Sequence, residues 1–335
     1  MTNILQTLHK NLTDIVRDAI GHQEERRALI IFDLDSPLSS LLTEGYKLAL
    51  PQAITLDFNQ TLPADIHAHI DQLSPSDLVV LIQSSSFRLN EFRFRLELFN
   101  RSLAVIEHPH LGRMPNDELE TYVNALAYDK DYYHGVGHAL RTAIGQTQEI
   151  IVETGDVSLK YQAPFETAKP NLGDYTGMKN IGGQFPIGEV FTEPSDLKNV
   201  NGQVRLFAYG DINFKTFCPS EPILVTIKEG VITDTQNAPD NFQDIVEQLR
   251  QDGELWVREL GFGLNRALTR TTRLSDIGSY ERMCGVHLSL GAKHTMYAKP
   301  GFGKRAGKFH VDVFAEVTRV LFDGRVVFEH GQYVI

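Results

Sequence analysis

The sequence predicts two domains of different class. An α/β N-terminal domain with an open, mostly parallel sheet is expected over residues 1–148. An α+β C-terminal domain rich in antiparallel strands is expected over 149–335. Three observations carry this reading. The first third alternates short apolar runs with helical periodicity, the remainder is a series of strand-like segments joined by hairpin signals, and 335 residues is about twice the common domain size.

The elements follow in chain order. Ile4, Leu5, Leu8, Leu12, Ile15 and Val16 recur at helical spacing over 3–20, which predicts an amphipathic helix rather than a signal peptide. ALIIFD (28–33) is a short apolar run of the kind buried on both faces of a parallel sheet. Helical 39–50, strand 53–58, helical 63–73 opening on Pro63, and strand 77–83 continue the alternation. Helical 91–100, strand 102–108 and helical 115–128 complete it, so four parallel strands are expected. A connecting helix is expected within 128–150. Beyond it, 149–161, 203–209, 222–234, 254–263, 285–291, 309–317 and 319–335 read as strands, with an Asp-Gly turn inside LFDGRVVF and one helix at 241–253.

Composition excludes several classes. The net charge of −11 argues against generic nucleic-acid or anionic-membrane binding, because both need Lys and Arg to neutralise phosphate. No apolar run approaches the roughly 18 residues of a membrane span. The two cysteines, Cys218 and Cys284, have no Cys-x-x-Cys spacing, which excludes a zinc ribbon and a disulfide scaffold and makes a reducing, cytoplasmic location the expectation.

The chemistry is expected where charge interrupts the apolar strands of the second half. FHVDVFAEV puts His310 and Asp312 two apart, hence on one face of a strand. They suit either a divalent cation or a hydrogen-bonded pair on a solvated face. ELGFGLN ends an apolar run on Glu259, with Gly261 and Gly263 close behind. GVHLSLG carries His287 in a short apolar strand, either as a ligand or as a satisfied core histidine. FPIGEVFTEP encloses Glu189 among apolar residues, where a carboxylate needs a partner, a proton or a metal unless it caps a turn. Together these three carboxylates and two imidazoles could furnish a two-metal hydrolytic site. His134 and His138, at i and i+4, read as an interdomain or cleft-facing helix. The glycine- and lysine-rich stretch 299–308 and the HPH of 108–110 read as loops.

The order GEVFTEP, ELGFGLN, GVHLSLG, FHVDV and the closing LFDGRVVFEHGQY resembles the thermophilic-type metallo-aminopeptidases, the family of aminopeptidases T, S and PII. The resemblance is concentrated in residues 180–335. It implies a pair of divalent ions, zinc, cobalt or manganese, held by Glu189, Glu259, His287, His310 and Asp312, and hydrolysis of N-terminal residues from peptides through an activated water. It also implies a small peptide substrate and a homodimer. Glu281 is the expected base. The family tyrosine seven residues after the motif histidine is here His294, which the resemblance makes a second catalytic residue, donating to the oxyanion or ligating a metal, with Tyr297 three residues further on. A related class, the ring-cleaving 2,5-dihydroxypyridine dioxygenases, would use a single Fe(II) on His287, His310 and Asp312.

Overall fold

The computed structural model describes residues 2–89, 94–253, 255–291, 297 and 309–335. By its internal contacts the chain forms two compact units, Met1–Tyr133 with Leu172–Ile187, and His134–Asn171 with Gly188–Ile335. A single cut at 148/149 does not describe this division, because a segment from beyond the cut rejoins the first unit's sheet.

In the first half the elements are α1 (Thr2–Asp14), β1 (Ala28–Phe32), α2 (Pro37–Ala49), β2 (Ile54–Asp57), α3 (Pro63–Ile70), β3 (Leu78–Ile82), α4 (Phe94–Asn100), β4 (Ala104–His108) and α5 (Leu119–Ala125). α6 (Lys130–Ile144) follows at the predicted connecting position. Next come β5 (Glu149–Thr154), β6 (Val157–Gln162), β7 (Lys169–Asn171), β8 (Ile181–Gln184), β9 (Glu189–Thr192), β10 (Val200–Gly210), β11 (Thr216–Phe217), β12 (Ile223–Lys228) and β13 (Val231–Gln236). The chain ends with α7 (Asp240–Asp252), β14 (Val257–Gly263), α8 (Ile277–Tyr280), β15 (Gly285–Gly291), β16 (His310–Ala315), β17 (Arg319–Phe322), β18 (Arg325–Glu329) and β19 (Gln332–Tyr333). No helix among the described residues is long and apolar enough to cross a membrane.

The first unit is the predicted parallel α/β sheet, in the order β2-β1-β3-β4-β8. β1 and β3 are buried along their whole length, as their uninterrupted apolar runs require. Leu29, Ile31, Val79, Leu81 and Val105 pack against Ile66 and Ile70 of α3 and Phe94, Leu98 and Phe99 of α4. α2 begins earlier than its periodicity alone indicates. Ser36 and Ser39 form a reciprocal capping box, with Pro37 in the first turn. The fifth strand, β8, escaped the sequence reading. IGGQ contains no apolar run, and its pairing with β4 comes from the backbone alone.

The second unit is built on a 14-stranded antiparallel sheet, with the path β19-β18-β17-β5-β6-β10-β16-β15-β14-β9-β7 and β11, β12 and β13 joined at β10. The stretch 149–161 is a hairpin, β5 and β6, rather than one strand, because Gly155-Asp156 turns the chain. Likewise 222–234 folds as β12 and β13, and 319–335 as β17, β18 and β19 with Asp323-Gly324 at the first turn. Four neighbouring strands, β16, β15, β14 and β9, hold all five residues expected to bind metal.

Candidate metal centre

Strand register gathers the charged side chains on one face. Ser289 of β15 lies opposite Asp312, and Gly291 opposite His310. Gly261 of β14 lies opposite both His287 of β15 and Phe191 of β9, and Gly263 lies opposite Glu189. Since period-two alternation sends every second side chain to one face, His287, His310, Asp312 and Glu189 share a face across four strands. A β-bulge between Val257 and Leu260 interrupts β14 at Arg258 and Glu259, where such a device re-aims a side chain. The Glu259 amide is held by donating to Ser289 Oγ at 3.0 Å.

The glycines of ELGFG supply the room. A Cβ on Gly261 would fall 2.1 Å from His287 Nε2, and one on Gly263 would fall 2.0 Å from the Met283 carbonyl oxygen. The imidazole therefore lies directly over the backbone of β14. It reaches Glu189 Oε1 at 3.1 Å and Glu259 Oε1 at 3.4 Å through Nε2. Glu189, Glu259, His287 and Asp312 are all buried.

Two sets of potential ligand atoms within this unit lie inside 4.8 Å of one another: Glu189, Glu259 and His287, and Glu281, His287 and Asp312. His287 is common to both. His310 belongs to neither set. Its Nε2 contacts Asp312 Oδ1 at 3.0 Å. Glu281, at the C-terminal end of α8, is brought beside His287 and Asp312. His294 and the stretch 299–308 lie outside the described residues. Tyr297 is buried, and its hydroxyl donates to the Thr167 and Phe191 carbonyls at 3.1 and 3.3 Å. That hydroxyl is committed to the backbone.

Sequence reading missed one member of the cluster. Arg282 is buried, and its Nη1 donates to Glu189 Oε2 at 2.5 Å and to Glu281 Oε1 at 2.7 Å. In the sequence it adjoins Glu281 outside any strand, a pattern indistinguishable from a surface ion pair. A second buried pair, Arg258 and Glu193, approaches at 3.6 Å. The signal for it is an arginine inside an apolar strand, in WVREL.

The electrostatics follow from this packing. Burial raises the Glu281 carboxyl, and the neighbouring carboxylates of Glu189 and Asp312 add to that; against Arg282 they push it up to about 8. Burial alone would lower His287, but hydrogen bonds to Glu189 and Glu259 outweigh it and hold the imidazole well above its ordinary value. Burial opposes ionisation of Glu189, yet Arg282 and His287 keep it below the usual carboxylate range. Three buried carboxylates, with the half-buried Glu281 beside them, thus surround one permanent cation, Arg282.

These donors fit a divalent cation. Carboxylate oxygens with one imidazole suit zinc, manganese, cobalt or ferrous iron. His287 Nδ1 is buried and has no hydrogen-bond partner in the protein. Most buried nitrogens of this kind are satisfied. The excess of buried negative charge likewise calls for a cation.

No protein-family profile matches the sequence, and comparison with curated proteins gives no match. Among solved structures, the fold is similar to that of wild-type AmpT, aminopeptidase T, from Thermus thermophilus. The TM-score is 0.61 with 12% sequence identity, and the match covers 98% of this chain and 99% of that one. The two-domain fold, a parallel sheet with helices plus a large antiparallel unit, is thus shared with that aminopeptidase over essentially the whole chain.

Proposed function

We propose that this protein is a metal-dependent hydrolase of the aminopeptidase type, releasing residues from the N-termini of small peptides. The observation that carries this reading is the convergence of Glu189, Glu259 and His287 within 4.8 Å on one face of the antiparallel sheet. The AmpT-like fold supports it. In this reading Glu189, Glu259 and His287 hold the ion, and Asp312 completes the acidic lining. A bound divalent ion would supply a water activated at neutral pH and polarisation of the scissile carbonyl. Glu281 stands beside His287 and Asp312, placed to take a proton from a water and return it to the leaving amine. The surplus of buried carboxylates suits the α-ammonium of a peptide with a free N-terminus. Small-peptide specificity and a homodimeric state belong to the same proposal.

A ferrous dioxygenase would need His287, His310 and Asp312 as one facial set. Such a site has no need of Glu189 and Glu259 as ligands, yet both converge on His287, which favours the hydrolase. The test is metal analysis of the purified chain together with two assays, amino-acid release from short peptides and oxygen uptake on dihydroxylated rings. Metal-dependent amino-acid release is expected. It should be abolished in His287→Ala together with metal binding, and reduced about 10²–10⁴-fold in Glu281→Gln with metal retained. Bound iron with oxygen uptake and no peptide cleavage would overturn the proposal.

A further inference from the structure

We infer that the centre holds one divalent ion, and that the Arg282 guanidinium stands where a second would sit. The inference deepens the metal-site reading above and rests on it.

The geometry carries it first. Arg282 Nη1 lies 2.5 Å from Glu189 Oε2 and 2.7 Å from Glu281 Oε1. A metal bridging those two carboxylates would sit about 2.0–2.2 Å from each oxygen, in the space Nη1 already fills. Two-metal sites hold their ions about 3.5–4 Å apart, so they need carboxylates that give an oxygen to each ion. Glu189 is the candidate for that role here, but its Oε2 is engaged by Arg282. Only Oε1 is left facing His287 and Glu259. One ion can use Glu189 Oε1, Glu259 Oε1 and His287 Nε2 while the guanidinium stays in place.

Charge points the same way, because the guanidinium is a permanent cation that repels a second divalent ion at contact distance. Burial of Arg282 removes the solvent that would otherwise screen a second ion from the guanidinium.

The test uses the full chain, stripped with chelator and reloaded with Mn²⁺, which is counted by elemental analysis after equilibrium dialysis and observed by electron paramagnetic resonance. The wild type should hold one Mn²⁺ per chain with the spectrum of an isolated ion. Arg282→Met should hold two, with the spectrum of a spin-coupled pair, a signature that mere loosening of the fold would not produce. Two ions in the wild type would overturn the inference and leave the metal-site reading standing. No ion in the wild type would sink both. A folded Arg282→Met variant that still holds one ion would show that the guanidinium is not what excludes the second. Should that variant fail to fold, the wild-type count and spectrum still decide the stoichiometry.

Discussion

Gly261 shows how little space the site leaves. It lies opposite His287 in the β14–β15 ladder, and a methyl group there would overlap the imidazole at 2.1 Å. Neither partner can yield easily, because His287 is buried and packs against Phe314 with ring centroids 5.9 Å apart. Gly261→Ala should therefore tilt the imidazole away from Glu189 and Glu259. We expect metal affinity to fall at least about tenfold, at a cost in stability of about 1–3 kcal/mol typical of overpacking. Calorimetric titration with Zn²⁺ checks this, and unchanged affinity would remove His287 from the ligand set. The same scale explains why the candidate ligands are legible in the sequence and Arg282 is not. Glu189, Glu259, His287 and Asp312 stand out as charges in apolar strands, where burial demands a partner. Arg282 follows a short helix, next to an acid, and nothing local distinguishes it from a solvated pair. Its role emerges only when β9 brings Glu189 to it across 93 residues.

Among the elements, β8 best separates what pattern can reveal from what only pairing can. Strands β1, β3 and β4 announce themselves through largely buried apolar runs, and β2, exposed to half-buried at the sheet edge, through its place in the alternation with helices. β8 has the sequence IGGQ and is half-buried throughout, so its place beside β4 depends on backbone hydrogen bonds and close approach. Gly182 adopts φ +96°, and an added Cβ would lie 1.9 Å from the Val105 carbonyl oxygen. Gly182→Ala combines a disfavoured dihedral with a backbone clash. It should destabilise the first unit by about 1–3 kcal/mol. Hydrogen exchange at the amides of β4 measures this directly, and exchange as slow as in the wild type would show that β8 does not hold that sheet edge. The β5–β6 hairpin is hidden in the sequence for a related reason. Apolar alternation runs through β5 and β6 as one stretch, and the turn at Gly155-Asp156 is a small signal beside it.

The two units of the molecule should respond to different ions. In the first, His108 is fully buried, and Tyr46 Oη and Tyr122 Oη lie 2.7 and 2.9 Å from its two ring nitrogens. Tyr122 donates to the Phe185 carbonyl, so it accepts from Nδ1–H, and Tyr46 donates to Nε2. The neutral ring is satisfied, and burial lowers its pKa from 6.5 to about 3. The unfolded chain therefore binds the extra proton between those values. The resulting stability is complete above about pH 6.5 and is lost as pH falls toward 3, at up to about 1.4 kcal/mol per unit. Hydrogen exchange in β3 and β4 from pH 6 to 4 should show that slope in the wild type and not in His108→Gln. The second unit has a different dependence, on metal. Its buried carboxylates exceed its buried cations at the site, so the proposed divalent ion would bind the folded unit and not the unfolded chain. Free ion at 100 times its dissociation constant then adds about 2.7 kcal/mol. Trp256, the single tryptophan, reports on this unit, since its carbonyl accepts from the Gly291 amide at the end of β15. Chelation should lower the unfolding midpoint followed by tryptophan fluorescence, and restoring Mn²⁺ should recover it. Exchange protection in β1 and β3 at pH 7 should stay unchanged under the same chelation. A midpoint indifferent to metal would mean that the acidic cluster is satisfied by Arg282 alone.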